Sequence, residues 1–282
     1  MRTWFITGAS RGFGALIAAQ ALAAGDAVIA TARDPLSIPA DIRNHANALA
    51  LPLDVANETQ ARDAARAGVE RFSRIDVLLN NAGYGLIGAI EESSAEEVER
   101  IFRTNVFGLL NVTRAVLPQM RAQRAGRVLN ISSIGGYASA MGFGIYCATK
   151  FAVEAISESL HAELAPLGIH TTVIEPGYFR TSFLSDKSVA STATQLDDYA
   201  QTVGNVRRFA QGADGQQPGD PRKLAEAVMQ LVASPQPPLR LPLGADTVAR
   251  IERKHHEVEA ELARWRALST STGFIEATNS CS

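Results

Sequence analysis

The sequence predicts an α/β protein in which a parallel β-sheet is covered by helices on both faces. Short apolar runs alternate with segments of helical periodicity along most of the 282 residues, and strands buried on both faces are continuously apolar rather than alternating. A glycine-rich turn also follows the first apolar run directly, as is typical of a strand that leads into a helix. With 46% apolar and 20% charged residues, the chain can bury a substantial core.

Each predicted strand is a short apolar run, and turn-forming residues or helical patterns separate these runs. The predicted strands are 4–6, 27–30, 49–53, 77–79, 127–131, 171–174 and 239–243. The predicted helices are 14–24, 57–72, 94–124, 144–166, 221–233 and 246–268. Pro118 predicts a kink or an early stop in the third of these helices. Pro242 places the last strand at an edge of the sheet or at a strand end.

The composition changes after residue 177. Residues 182–220 are rich in Ser, Thr, Gln, Gly and Asp, and we expect them to form a mobile, partly helical lid over a site. Its apolar side chains fit a lid over an apolar pocket, although ordinary helix packing explains them equally well. They are Phe183, Leu184, Leu196, Tyr199, Val203, Val206 and Phe209. The tail 269–282 is expected to be poorly ordered, and residues 1–282 form a single predicted domain because no linker divides them.

Charge and composition argue against several classes of function. The formal charge is −2, from 27 basic and 29 acidic residues, which gives no electrostatic attraction to nucleic acid or to an anionic membrane. No apolar run is long enough to span a bilayer, and the N-terminus enters the first strand without room for a signal peptide. Cys147 and Cys281 do not suggest a disulfide framework, so we expect a location in the reducing cytoplasm.

The turn after the first strand is the candidate dinucleotide site. Gly8, Gly12 and Gly14 form the pattern G-x-x-x-G-x-G, in which glycines let the backbone approach a pyrophosphate at the N-terminus of a helix. The spacing differs from the more common G-x-G-x-x-G. By itself the turn is therefore also compatible with a purely structural role.

Arg33 follows the second predicted strand, where a residue that contacts the adenosine ribose is expected. Its planar guanidinium can pair with a 2′-phosphate, and Arg11 can add a second positive charge. The sequence therefore favours NADP(H) over NAD(H). Asp34 is the contrary signal, since a carboxylate at this strand end can bind the 2′-hydroxyl of NAD. Both arginines are also compatible with solvated surface positions.

A candidate proton donor lies on the helix predicted over 144–166. Of the five tyrosines, Tyr146 alone has a lysine four residues later, Lys150, and residues four apart share a helix face. The ammonium would stabilise the phenolate and lower the pKa of Tyr146 from its ordinary value of about 10. Ser132 and Ser133 precede Tyr146 as candidate hydrogen-bonding serines. Taken alone, Tyr146 is also compatible with a buried aromatic role.

These motifs, together with others in the same order, resemble the classical short-chain dehydrogenase/reductase family. The matching features over residues 2–182 are TGASRGFG at 7–14, Asp54, Asn80-Asn81-Ala82-Gly83, Asn105, Ser133, Tyr146, Lys150 and Pro176-Gly177. The resemblance implies one doubly wound Rossmann-type domain with a seven-stranded parallel sheet. The segments ARDP at 32–35 and PGYFRT at 176–181 are similar to those of 17β-hydroxysteroid-dehydrogenase-like and retinol-dehydrogenase-like members.

The resemblance also implies roles for individual residues. Tyr146 would exchange a proton with the substrate, assisted by Ser133, Lys150 and Asn105, of which Asn105 would hold a water of the proton relay. The resemblance favours Ser133 over Ser132 as the catalytic serine. The implied cofactor-binding residues are Gly8, Ser10, Arg11, Gly12, Phe13, Gly14, Arg33, Asp54, Val55, Asn81, Ala82, Gly83, Tyr146, Lys150, Pro176, Gly177 and Thr181.

The predicted function is NADP(H)-dependent interconversion of a ketone or aldehyde and an alcohol, with NAD(H) as the alternative cofactor and an apolar small molecule as substrate. Two other functions stay open: a redox sensor that binds NADP(H) and acts through a protein partner, and non-redox chemistry on the same fold. The resemblance further implies a homodimer or homotetramer that pairs the helices near 99–124 and 144–166.

Two further features were candidates for sites. His255 and His256 are adjacent on a predicted helix and point in different directions, so they indicate a solvated helix face and no metal site. Cys147 occupies the position after the tyrosine where the resemblance places Ser. Its neighbours give no case for a reactive thiol, so we expect it to pack as a small apolar residue.

Overall fold

The structure, a computed structural model, describes residues 1–181, 183, 188–213 and 215–274. Leu184, Cys281 and the part of the predicted tail beyond residue 274 lie outside the described residues. The strands are β1 (Thr3–Thr7), β2 (Ala27–Ala32), β3 (Ala48–Pro52), β4 (Val77–Asn80), β5 (Gly85–Ile87), β6 (Gly126–Ile131), β7 (Ile169–Pro176), β8 (Val189–Ser191) and β9 (Arg240–Leu243). The helices are α1 (Gly12–Ala23), α2 (Ala40–Arg43), α3 (Glu58–Phe72), α4 (Ala95–Phe102), α5 (Leu109–Gln123), α6 (Gly144–Leu164), α7 (Val203–Ala213), α8 (Pro221–Ala233) and α9 (Ala245–Ser269).

Seven strands form the main sheet in the order β3-β2-β1-β4-β6-β7-β9. Every neighbouring pair in this sheet is parallel, which confirms the predicted seven-stranded parallel sheet. β9 lies at the edge, as Pro242 predicts. The chain builds outward from β1 through β2 and β3, and then continues on the other side of β1 with β4. In such sheets the crevice at the carboxyl ends of the strands beside this reversal is the usual ligand site.

The alternation of side chains along β1 divides the core between the two faces of the sheet. Trp4 and Ile6 pack on one face with residues of α1 and α8, whereas Phe5 packs on the other face with residues of α3 and α5. All three side chains are fully buried. Because helices cover both faces, the central strands have no polar side and read as continuous apolar runs.

The long helical region departs from its predicted form. The early stop expected at Pro118 does not occur, because α5 continues through this residue to Gln123. Pro118 lies on the exposed side of α5, where water can satisfy the carbonyl that a proline leaves without a donor. The interruption comes earlier, in the π-helical segment Arg103–Gly108 between α4 and α5. Such segments are frequent at functional sites, and this one contains Asn105.

A second, two-stranded sheet was not predicted. β5 and β8 pair in parallel, with Gly85 opposite Val189, and this pairing attaches the beginning of the lid to the main body. Among the helices that the structure describes, none has both the length and the apolar character required to cross a membrane.

Candidate active site

The glycine turn joins β1 to α1 at the crevice. Gly8 has a φ of +67°, in the left-handed region that favours glycine. A Cβ atom on Gly14 would lie 2.4 Å from the Gly8 carbonyl oxygen, so the helix can start this close to the turn only with glycine there. The Asn81 side-chain amide fixes the arrangement, donating to the carbonyl oxygens of Thr7 at 2.9 Å and Gly8 at 3.1 Å.

A positively charged residue, Arg33, directly follows the end of β2. Arg33 is exposed there and lines the same cavity as the glycine turn. The neighbouring Asp34 carboxylate caps the short 3-10 turn Pro35–Ser37 and accepts a hydrogen bond from the Leu36 N–H at 2.9 Å. The Asp34 carboxylate, which in the sequence argued for NAD(H), is therefore occupied by a hydrogen bond within its own turn. Arg11, on the glycine turn, donates to the Ser188 hydroxyl at 3.0 Å.

A cavity of about 1190 Å³ runs from the glycine turn to α6. Ligand pockets commonly measure roughly 300–1,000 Å³, so this one has room for a dinucleotide together with a substrate. The predicted site residues that line it are Gly8, Ser10, Arg11, Gly12, Phe13, Arg33, Asp54, Val55, Asn81, Ala82, Gly83, Ser133, Tyr146, Lys150, Pro176, Gly177 and Thr181. The two others, Gly14 and Asn105, lie behind the cavity wall and support it through the contacts given above and below.

Tyr146 lies in the first turn of α6 and is 7% exposed. Its ring contacts those of Phe143 and Phe183, at centroid distances of 6.2 and 5.8 Å. Burial raises the pKa of the Tyr146 phenol above its ordinary value, and a hydrogen bond with the Ser133 hydroxyl lowers it in part. The phenol is therefore protonated near neutral pH, which is the form that a proton donor requires.

Lys150 is buried one turn further along α6. Its Nζ lies 5.8 Å from the centroid of the Tyr146 ring and donates to the Ile131 carbonyl oxygen at 2.8 Å. Burial lowers the pKa of the Lys150 ammonium to about 8, so it carries its charge at pH 7 and loses it in mildly alkaline solution. The pKa of Tyr146 is raised rather than lowered because burial outweighs the Ser133 hydrogen bond, so a lowering of this pKa by Lys150 stays a prediction.

The two candidate serines differ in their surroundings. Ser133 begins the 3-10 turn Ile134–Gly136, and its Oγ accepts a hydrogen bond from the Gly135 N–H at 3.0 Å. This bond uses a lone pair, so the Ser133 hydroxyl can still donate its proton to a ligand in the cavity. The Ser132 hydroxyl is buried beside Glu154.

Asn105 supports α6 from behind. Its side-chain amide donates to the Tyr84 carbonyl oxygen at 2.9 Å and to the Thr149 hydroxyl at 3.1 Å, while its Oδ1 accepts from the Tyr84 N–H at 3.1 Å. Thr149 lies between Tyr146 and Lys150, so Asn105 fixes the helix between the two residues. Its expected role in holding a water stays a prediction.

Two buried glutamates attach the lid to the body of the protein. Glu92 accepts a hydrogen bond from the Leu196 N–H at 2.9 Å and forms an ion pair with Arg207 at 2.5 Å. Glu97 accepts from the Ala193 N–H at 2.9 Å. The sequence did not single out either glutamate, because each partner lies about a hundred residues away along the chain and no local pattern marks such a contact.

We expect Glu92→Gln to loosen the lid. Burial raises the pKa of Glu92, but Arg207 and backbone N–H groups outweigh burial and hold this pKa below its ordinary value. The carboxylate therefore stabilises the fold above its unfolded-state pKa, and this stabilisation is lost as the pH falls through the folded-state pKa. At pH 7 the variant should lose about 1–2 kcal/mol of unfolding free energy and be cleaved faster in the lid by a protease.

The control is Glu99→Gln, which removes the same charge from an exposed position on α4. The difference in unfolding free energy between the wild type and Glu92→Gln should disappear in acid. A difference that persists in acid, or one that Glu99→Gln reproduces, would show that the Glu92 charge does not hold the lid.

Cys147 and His255 complete the predicted positions. Cys147 is 2% exposed, and a Cβ on Gly135 would lie 3.0 Å from its Sγ, in agreement with a packing role. His255 is not simply solvated, since its ring nitrogen contacts the Tyr137 hydroxyl. Within the described ranges, no group of three or more His, Cys, Asp or Glu side chains is placed to hold a metal ion.

Comparison with known proteins gives a consistent family. A model of the short chain dehydrogenase family matches residues 2–191. An oxidoreductase of Botryotinia fuckeliana is 36% identical over 273 residues, which are 96% of this chain and 99% of that protein. A 3-ketodihydrosphingosine reductase of Bacteroides thetaiotaomicron is 38% identical over 239 residues, or 85% of this chain and 86% of the relative.

Solved structures agree with the sequence matches. A short-chain dehydrogenase from Streptomyces avermitilis superposes with a TM-score of 0.89 at 41% identity, covering 97% of this chain and all of that one. More distant proteins of the same fold, at 23–25% identity, were solved with NAD, NADH or NADP.

Proposed function

Because the chain belongs to the short-chain dehydrogenase family, we propose that it is an NADP(H)-dependent oxidoreductase that interconverts a ketone or aldehyde with the corresponding alcohol. The observation that carries this proposal is the convergence of Ser133, Tyr146 and Lys150 on the cavity that also contains the glycine turn. A nucleotide-binding protein without acid–base chemistry has no need of a buried, protonated phenol at this place.

The reaction follows from the placement of these three side chains. When bound, NADP(H) supplies the hydride for the carbonyl carbon. Tyr146 donates its phenolic proton to the carbonyl oxygen, and Ser133 orients that oxygen by donating a hydrogen bond. The Lys150 ammonium stabilises the phenolate that remains. In the oxidative direction the same phenolate accepts the proton of the alcohol.

The preference for NADP(H) over NAD(H) is part of the proposal. The glycine turn accommodates the pyrophosphate of either cofactor, and proteins of this fold bind both kinds. Two observations support the phosphorylated one: Arg33 is exposed in the cavity at the end of β2, and Asp34 is engaged in capping its own turn. A 2′-phosphate here would meet the Arg33 guanidinium, while the Asp34 carboxylate, which also lines the cavity, is held by its own turn.

An apolar substrate fits the surroundings of Tyr146. The rings of Phe143 and Phe183 flank the phenol, and a relative named 3-ketodihydrosphingosine reductase supports a keto substrate. A panel of carbonyl compounds and alcohols, assayed with NADPH and with NADH, tests the function. We expect turnover of apolar ketones or aldehydes. Exclusive turnover of small, highly charged substrates would contradict the proposed pocket.

We also expect the protein to form a homodimer or homotetramer. Phe107, just before α5, is 56% exposed, and Phe151 on α6 is 45% exposed; both lie in the helical regions expected to pair. Phe151→Asp should weaken self-association about tenfold, as for a moderate interface contact, while Phe209→Asp on α7 serves as a control. Sedimentation at micromolar concentration measures the effect, and a strictly monomeric wild type would contradict the expectation.

A further inference from the structure

A pair of buried acidic residues lies directly behind the candidate catalytic residues and has no part in the proposed reaction. Glu154 follows Lys150 by one turn of α6, and Glu175 directly precedes Pro176 near the end of β7. Glu175 is fully buried and Glu154 is 6% exposed. Neither carboxyl group has a hydrogen bond of good geometry to another described residue, although both lie beside a cation.

The cation beside both carboxyl groups is Arg240 of the edge strand β9. Its Nε atom lies 3.4 Å from Glu154 and 3.5 Å from Glu175, and its guanidinium also pairs with the half-exposed Glu158. One guanidinium therefore faces three carboxyl groups, two of them buried. If all three were ionised, this guanidinium could neutralise only one of them, and the two buried carboxylates would repel each other at a cost in free energy.

A shared proton removes this excess of charge. Burial and the neighbouring Glu154 raise the pKa of Glu175 to about 7, and Arg240 opposes this shift in part. Burial also raises the pKa of Glu154, which the Ser132 hydroxyl and Arg240 oppose in part. Because the two carboxyl groups interact strongly, they titrate as a pair rather than one by one. A pair of this kind can hold one proton and one negative charge near neutral pH.

Three further titratable groups in the described part of the chain lie on α6 or beside Arg240. Lys150 lies on the same helix as Glu154, the Tyr137 ring lies 6.0 Å from the Arg240 guanidinium, and His255 of α9 contacts the Tyr137 hydroxyl. Of these groups, Lys150 is buried, and it is the one whose positive charge the proposed reaction requires. Burial lowers the pKa of Lys150, and the Glu154 charge raises it.

We propose that Glu154 and Glu175 share one proton, next to the turn of α6 that carries Tyr146 and Lys150. The negative charge left on the pair keeps Lys150 protonated. Glu154 is then a positioning residue, since it acts on the phenol of Tyr146 only through Lys150. The catalytic meaning of this charge rests on the proposed function, whereas the shared proton and the protonation of Lys150 can be measured without any turnover.

The first test measures Lys150 directly. The chain has only four lysines, so ¹³C-labelled lysine side chains can be titrated by NMR, with Lys150→Arg used to assign the signal. In Glu154→Gln the pKa of Lys150 should fall by about one unit or more. It should change little in Glu154→Asp, which keeps the charge, and in the control Glu158→Gln. An unchanged pKa in Glu154→Gln would overturn the proposal.

The second test concerns the shared proton. The folded pair binds a proton that an unfolded carboxyl group releases above about pH 4.3. Its stabilising contribution is therefore complete below that pH and is lost as the pH rises through about 7. Between about pH 5 and 7.5 the wild type should lose more unfolding free energy than Glu175→Gln. Parallel pH dependences would overturn the shared proton.

A measurement on the wild type alone covers the case in which Glu175→Gln does not fold. Infrared spectra should show the C=O band of a protonated carboxyl group that titrates near neutral pH, and the lack of such a band would overturn the proposal. If the wild type turns over a carbonyl substrate, the alkaline limb of kcat/KM should move to lower pH in Glu154→Gln and return in Glu154→Asp. If the alkaline limb of kcat/KM does not move in Glu154→Gln, Glu154 has no role in catalysis. A wild type without any turnover would contradict only the proposed function.

Discussion

Replacing Tyr146 by Phe is expected to lower kcat by about 10²–10⁴-fold, the usual contribution of a positioned general acid or base. The ring of Phe fills the same space between Phe143 and Phe183, so the helix and the cavity should stay intact. The substrate oxygen then lacks its proton donor. Cofactor affinity, measured by fluorescence titration, should stay close to that of the wild type because the glycine turn is unchanged.

The matched control for this result is Cys147→Ser, the next residue on α6, which packs against Gly135. It should retain most of the turnover. Undiminished turnover of Tyr146→Phe on a verified substrate would refute the assignment of the proton donor. Tight nucleotide binding together with a stable protein partner and no turnover by the wild type would favour a redox sensor. Conversion of substrate without net oxidation would favour non-redox chemistry on the same fold.

Arg33→Ala is expected to weaken the binding of NADPH tenfold to a hundredfold and to change the binding of NADH little. A charge-assisted contact with the 2′-phosphate contributes on the order of 1–3 kcal/mol, which corresponds to that range of affinity. NADH has a hydroxyl group in place of this phosphate and loses much less. The measurement is kcat/KM for both cofactors in the wild type and in the variant.

Arg121→Ala provides the control, because it removes the same charge from an exposed position outside the cavity. If Arg33→Ala lowers kcat/KM equally for the two cofactors, Arg33 does not contact the 2′-phosphate. A wild type that prefers NADH would likewise overturn the assignment, and would direct attention to the Asp34 carboxylate.

The main sheet was predictable, and the candidate site residues could be singled out, because local patterns encode both. The apolar run 127–131 lies within β6, since a strand buried on both faces needs no partner to be recognised in sequence. Similarly, Tyr146 and Lys150 were recognisable as a pair because residues four apart lie on the same face of a helix. The glycine turn was recognisable because its residue types follow from backbone conformation.

Other parts of the site depend on contacts between distant segments and could not be predicted. The pairing of β5 with β8 joins two three-residue strands, which are too short to leave a periodic pattern. In the sequence, Glu92 has the character of an ordinary surface residue. Its burial against the lid depends on the ion pair with Arg207, which is distant along the chain. The π-helical segment Arg103–Gly108 likewise follows from packing, because nothing in its residue types distinguishes it from the helices that flank it.

Because the edge strand β9 comes late in the chain, the sheet is completed late in synthesis. During synthesis, the glycine turn, Tyr146 and Lys150 all leave the ribosome before Arg240 is translated. A nascent chain at that stage presents β7 as an open edge and holds the carboxyl groups of Glu154 and Glu175 without their cation. The sheet is completed, and these carboxyl groups meet Arg240, only after β9 has been made. A product truncated before β9 would carry the candidate catalytic side chains on an unfinished and aggregation-prone scaffold.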